Sequence, residues 1–316
     1  GMIALVMSMS LPMTTYAADW YLEDGDVTVD AGDSGQTVTQ GSNPAVPDEA
    51  PVITQRESSV ETANTITINA SENATANVTI SNVNINASNN TGSESKAAVS
   101  TGGQGNVNIE LDGTNTLKSG REHAGLEKSK DGKLTITDEN GNGKLIATGG
   151  EYGAGIGGGK KGNGSNITIT GGEVTATGGT NGAGIGGGNK DNGSNITITG
   201  GKVTATGGMF ASGIGGGEQG NGSNITITGG EVIAAGGTTG AGIGGGLQKN
   251  GEKITVSGDA TIKVQGGPTD RYDGAGAGIG NGGSHNGAYN SWSLTPVNGA
   301  ETEPDTSNLT TGKIEY

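Results

Sequence analysis

Glu122, Tyr152, Asn181, Phe210 and Thr239 follow one another at steps of 30, 29, 29 and 29 residues. A chain that coils once per step lines these five side chains up along one corner. Tyr152 and Phe210 then stand two turns apart, about 10 Å at the spacing of parallel strands, which is close to the length of two sugar rings. Aromatic faces beside amide and carboxylate groups offer what a glycan needs: flat apolar contact and directional hydrogen bonds. The five residues are therefore candidate carbohydrate contacts. Their bland alternative is to shield the corner. Arg271 and Tyr272 join them from the charged and aromatic insertion "PTDRYDGA", which also holds Asp270 and Asp273.

Other chemistry is sparse. Arginine occurs only at Arg56, Arg121 and Arg271, and histidine only at His123 and His285. One further cluster, "SGREHAGLEKSKDG", gathers Arg121, Glu122, His123 and Glu127. A solvated loop and a site compete as readings of it. Polysaccharide lyases and hydrolases need carboxylates for metal or acid–base work and a strong base beside them. The regular repeats offer glycine, isoleucine, threonine and asparagine instead, so no catalytic residue is assigned and a non-enzyme is expected. The "GAGIGGG" runs contain phosphate-loop spacing, but a dinucleotide fold needs that motif once, between strand and helix. Here it recurs with no helical pattern after it. A calcium array would need a regular aspartate, and Asp191 appears in one copy only. No cofactor is expected; a single structural Ca2+ on the "GNGSN" loops is left open, and the metal site is unknown.

These residues are positioned by a repeat. The centres of the "AGI"-like triplets fall at Val99, Leu126, Ile156, Ile185, Ile214, Ile243 and Ile279, at steps of 27, 30, 29, 29, 29 and 36. Within one copy, apolar Ile167 and Ile169 alternate with Thr168 and Thr170, and Val174 and Ala176 alternate with Thr175 and Thr177. Period-two runs this short indicate half-buried strands, and glycine pairs between them mark corners. Three short strands per copy pair best with the equivalent strands of the next copy. The expected fold is all-β: a right-handed, single-stranded parallel β-helix, a three-sided solenoid of about seven to nine rungs. Ile156, Ile185, Ile214 and Ile243 should stack inside. So should the columns starting at Ile167, Ile169 and Val174. Asn163, Asn192, Asn221 and Asn250 should form one asparagine ladder, and Asn166, Asn195 and Asn224 a second. Glu173, Lys202 and Glu231 alternate in sign along a third column. The outward Thr168/Thr170, Thr197/Thr199 and Thr226/Thr228 array raises ice binding as a rival, though threonine is also simply favoured on strands.

Composition agrees. Among 316 residues there are 66 glycines without a collagen period, no cysteine, and a formal net charge of −15. That charge argues against nucleic acid and anionic lipid as partners. The uncharged run Met2–Met13, followed by Thr15 and Ala17 at small-x-small spacing, reads as a signal remnant without its basic start. The expected organisation is a signal remnant over 1–18, a cap or lead-in over 19–63 that shields the first rung, the β-helix over 64–283, and a closing segment over 284–316 whose abrupt end at "GKIEY" suggests truncation.

The motifs "GAGIGGG" and "NITITGGxVxAxGG" resemble repeats in secreted bacterial surface proteins with a parallel β-helix. The resemblance extends to a clostridial-type family of carbohydrate-binding β-helix domains, some of which bind cellulose-like polysaccharide and calcium. It covers about Ile66 to Gly283 and is strong from Leu145 to Gly246. It implies an extracellular or cell-surface protein that binds a polysaccharide, a host or cell-wall glycan, or acts as an adhesin module; a monomer is expected. The family's acidic calcium ligands have no clear counterpart here. A structural stalk of a larger surface protein, or a polysaccharide lyase, are the alternatives.

Overall fold

A computed structural model describes residues 18–89, 95–129, 131–162, 164–268, 274–284 and 297–316. The signal reading on Met2–Ala17, Asn163, His285, and the insertion residues Asp270, Arg271, Tyr272 and Asp273 lie outside the described residues.

The protein is a parallel β-solenoid of about eight turns with three sheets. In the regular part each turn adds one strand to each sheet, as in Gly164–Ile169, Glu173–Thr177 and Ile185–Gly186. Each of these pairs in parallel with its equivalent one repeat later: Ile167 with Ile196, Val174 with Val203, and Ile185 with Ile214. The strands read as alternating because one face of each is the core. Val99, Leu126, Ile156, Ile185, Ile214, Ile243 and Ile279 form one unbroken register. All seven are fully buried. Ile66 and Val27 extend that column toward the N-terminus. Each buried isoleucine contributes about 1.5–3 kcal/mol of burial, repeated turn after turn. The narrow interior explains the near absence of aromatic core residues.

The columns outside the core follow from the same register. Asn195 Nδ2 donates to Asn166 Oδ1 at 3.0 Å, and Asn224 Nδ2 to Asn195 Oδ1 at 3.2 Å. These three asparagines lie in the left-handed region, at φ of 58°, 53° and 52°, which asparagine tolerates better than most residues. The Asn192 ladder works differently. Its side-chain oxygens cap backbone, with Asn221 N–H donating to Asn192 Oδ1 at 2.8 Å and Asn250 N–H to Asn221 Oδ1 at 3.0 Å. Lys144 leads the alternating-charge column and pairs with Glu173 at 3.1 Å; Lys202 and Glu231 follow in register.

At the N-terminal end, Val27–Gly32 adds to Ile66–Ala70 in parallel and then turns back as an antiparallel hairpin with Gly35–Gln40, which pairs in turn with Val46–Pro47. Reversing direction and ending on a proline closes that sheet edge. Asp19–Tyr21 lies along Val52–Thr54. At the other end, Lys313–Glu315 adds in parallel to Thr261–Gln265. Among the described residues no helix is long and apolar enough to cross a membrane.

Candidate functional site

The corner column exists as a hydrogen-bonded stack. Tyr152 N–H donates to the Arg121 carbonyl at 3.0 Å, and Asn181 N–H to the Glu151 carbonyl at 3.0 Å. Phe210 N–H donates to the Thr180 carbonyl at 3.4 Å, and Thr239 N–H to the Met209 carbonyl at 3.2 Å. Each column residue thus binds the residue just before its predecessor, which places Glu122, Tyr152, Asn181, Phe210 and Thr239 on successive turns. Four of the five keep some exposure. Thr239 is fully buried, and among the described residues its Oγ1 has no hydrogen-bond partner. The next turn covers it, Gly283 N–H donating to its carbonyl at 2.7 Å, so it is out of reach of a surface ligand and leaves the candidate set.

A second column, missed in the sequence, runs alongside. Lys160, Asn189, Glu218 and Leu247 donate their backbone N–H to the carbonyls of Glu122, Tyr152, Asn181 and Phe210 at 2.7, 2.8, 2.8 and 2.9 Å. These four are the first residue after each "GIGGG" run. The signal was available: the run is invariant from copy to copy, and the position following it changes from lysine to asparagine to glutamate to leucine. A position that varies within a rigid repeat faces something other than the core.

The two columns interact across the corner. Asn181 Nδ2 and Asn189 Nδ2 both donate to Glu218 Oε2, at 2.6 and 2.5 Å. Lys160 Nζ meets Glu122 Oε1 at 2.5 Å, and that ammonium holds the Glu122 carboxyl below the usual carboxylate range. Tyr152 is not a bare platform. The Arg121 guanidinium lies 4.9 Å from its ring centroid and donates to its hydroxyl at 2.9 Å, while Lys160 Nζ lies 5.2 Å from the ring. Arg121 is itself held by Glu151 at 2.6 Å. Cations over an aromatic face each contribute about 0.5–1 kcal/mol at exposed sites. Beside Phe210, Met209 is 48% exposed, so the upper part of the corner is apolar and the lower part charged.

Below Tyr152 the corner opens into a cleft of about 260 Å³, whose lining includes Glu122, His123, Glu127, Lys128, Lys160 and Lys161. The Arg121–Glu127 cluster is therefore not a solvated loop throughout. Glu127 Oε2 sits 2.9 Å from His123 Nδ1 and accepts the Ala124 N–H at 3.0 Å. The bond to Glu127 raises the His123 pKa against the opposing effect of burial. Lys128 is 3% exposed, and burial lowers its pKa to about 8. Among the described residues no group of three or more histidine, cysteine, aspartate or glutamate side chains could hold a metal ion.

Residues 140–160, 167–189, 196–218 and 225–247 match a family described as beta helix repeat. These four segments contain both corner columns from Tyr152 to Leu247. The match supports a parallel β-helix family and carries no ligand. No curated protein and no solved structure matches the chain.

Proposed function

We propose that this protein is an exported, non-catalytic surface protein that binds a polysaccharide along the double corner column. The carrying observation is the juxtaposition of Tyr152, Asn181 and Phe210 on successive turns with the Asn181–Glu218–Asn189 cluster between the two rings. Two aromatic side chains about 10 Å apart, by the spacing of parallel strands, match a chain of hexose rings. A carboxylate already oriented by two amides accepts sugar hydroxyls without first paying for its own ordering. The acidic composition, a formal net charge of −15, suits life outside the cell. Glycan-array screening followed by calorimetry on the best polysaccharide tests the reading. Tyr152→Ala/Phe210→Ala should weaken binding at least tenfold, at about 0.5–1.5 kcal/mol per ring beyond area burial. Glu218→Gln, which keeps shape, should weaken it less. Equal affinity of wild type and the double variant would remove the site.

The rival reading is a rigid spacer of a larger surface protein, favoured by three sheets that run through the whole coil. It is supported if no glycan on the array binds while the full-length protein still holds its other domains away from the cell. A lyase would instead release unsaturated sugar from acidic polysaccharides, and incubation with such polymers separates it from both.

A further inference from the structure

We propose that Asn140 is a self-modification site: the Asn140–Gly141 pair closes to a succinimide and opens to aspartate or isoaspartate, while hydrogen bonds of the fold hold the other described Asn–Gly pairs shut. This does not rest on the glycan-binding reading of the Tyr152 and Phe210 column.

The chemistry is local to the chain. The Gly141 nitrogen loses its proton to solvent base and attacks Cγ of Asn140. A carbon–nitrogen bond forms, the Cγ–Nδ2 bond breaks, and Nδ2 leaves as ammonia with a proton returned by solvent. Water then adds to either imide carbonyl and opens the ring, leaving a carboxylate in place of the amide. No oxidant and no cofactor enter. A glycine after the asparagine favours the attack, because it has no Cβ to crowd the nitrogen and its backbone turns freely. Two conditions decide which pair reacts. The glycine N–H must be free to lose its proton, and the peptide must be free to turn toward Cγ. A hydrogen bond from that N–H opposes both.

The sequence holds ten Asn–Gly pairs, and eight lie wholly within the described residues. In seven of the eight the glycine N–H is bound. Gly193 and Gly222 donate to the Asn221 and Asn250 carbonyls of the next turn, both at 2.9 Å. Gly282 donates to the Lys249 carbonyl at 2.9 Å, Gly299 to Ala275 at 2.8 Å and Gly182 to Gly179 at 3.0 Å. Gly251 donates to Asn281 Oδ1 at 3.0 Å, and Gly143 to Asp138 Oδ1 at 2.9 Å. The eighth pair differs. Gly141 N–H meets no acceptor among the described residues. Asn140 and Gly141 are both exposed, and nothing lies within 4 Å of the place a Cβ on Gly141 would take. The pair stands in the bend between the strands Leu134–Thr137 and Lys144–Thr148.

Asp138 draws the line between this pair and the next. Its Oδ1 accepts the Asn142 N–H at 3.1 Å as well as the Gly143 N–H. Asn142 Nδ2 donates to Asp112 Oδ1 at 2.8 Å. Asn142–Gly143 is therefore held at the side chain and at the attacking nitrogen, and Asn140–Gly141 at neither among the described residues. The need to free a bound N–H lowers the rate roughly 5- to 150-fold. The product carries a new carboxylate beside Asp138 and Glu139, and isoaspartate also lengthens the main chain by a methylene.

The test keeps the whole protein in neutral and mildly alkaline buffer enriched in oxygen-18 water, which marks the oxygen taken up when the ring opens. Peptide mass mapping over weeks reads each asparagine. Asn140 should convert about tenfold or more faster than the seven bound pairs, and faster at the higher pH. In urea the eight pairs should react at similar rates. A more acidic species should accumulate on anion exchange, and Asn140→Gln should not form it. Asp138→Ala should speed conversion of Asn142 about fivefold or more and leave Asn140 as in wild type. Asn140 reacting no faster than Asn192 and Asn221, or keeping its full lead in urea, overturns the proposal. So does an unchanged Asn142 rate in folded Asp138→Ala. If that variant does not fold, the wild-type maps with and without urea decide alone. Tyr152→Ala/Phe210→Ala should convert as wild type, so this site and the glycan site can fail separately.

Discussion

Gly186→Ala should cost about 4 kcal/mol, and the reason lies in how closely successive turns approach. Gly186 has φ of +133°, a region that an L side chain occupies only under strain, at about 1–3 kcal/mol. A Cβ there would also overlap the carbonyl oxygen of Gly215, one turn on. That oxygen must retreat by about 1 Å to restore contact distance. It is the acceptor for Gly187 N–H at 2.9 Å, so its retreat weakens a buried backbone bond worth about 1–3 kcal/mol when left unmade. Two reference variants separate these causes. Gly141 has φ of +73°, and nothing lies within 4 Å of the place a methyl group would take, so Gly141→Ala should show strain alone, about 1–2 kcal/mol. Gly32 has a φ outside the left-handed range, and its nearest neighbour would be Ser71 Oγ at 3.6 Å. Gly32→Ala should be neutral or stabilising by up to about 1 kcal/mol. Urea denaturation followed by circular dichroism reads the order. In a coil where each turn touches only its neighbours, Gly186→Ala should also split the transition and admit protease between turns. A Gly186→Ala protein as stable as Gly141→Ala would refute the claim that inter-turn contact, not backbone conformation, dictates glycine there.

The remaining expectations concern charge. The folded-state pKa of His123 lies above its unfolded value of about 6.5, because Glu127 favours the imidazolium. The stability it contributes is therefore fully present below about pH 6.5 and lost as pH rises through the folded value. Glu127→Gln should narrow its stability deficit against wild type between pH 5.5 and 8.5, by under about 1 kcal/mol given partial exposure. A deficit constant across that range would rule out the ion pair as its source; NMR titration of His123 gives the same answer directly. Lys202→Glu places like charges against Glu173 and Glu231 in register. It should lower stability by about 0.5–1 kcal/mol at low salt and less in 1 M salt, readable as a Tm difference that closes on adding salt.

Much of this molecule was legible before its coordinates. Period-two alternation and a recurring repeat, 29 residues long from Ile156 to Ile243, specify the strands, the inward columns and the parallel pairing. Every "AGI" centre from Val99 to Ile279 shares one register because a one-residue slip would turn the whole column to solvent. The stacking of Tyr152, Asn181 and Phe210 followed from the same arithmetic. What the linear pattern did not carry was the distance between columns. Lys160, Asn189, Glu218 and Leu247 lie eight residues after Tyr152, Asn181, Phe210 and Thr239, yet each bonds the corner residue of the preceding turn. The short strand and its corner fold each of them back against the preceding turn.

The sequence alone therefore determined which residues repeat, and so which of them share a face. Only the tertiary structure decided which faces meet. It buried Thr239 and Lys128, and flanked the Tyr152 ring with Arg121 and Lys160. A regular coil makes along-axis neighbours a matter of counting. Contacts around the corner depend on how sharply the glycine turns bend, which is a property of backbone angles in three dimensions.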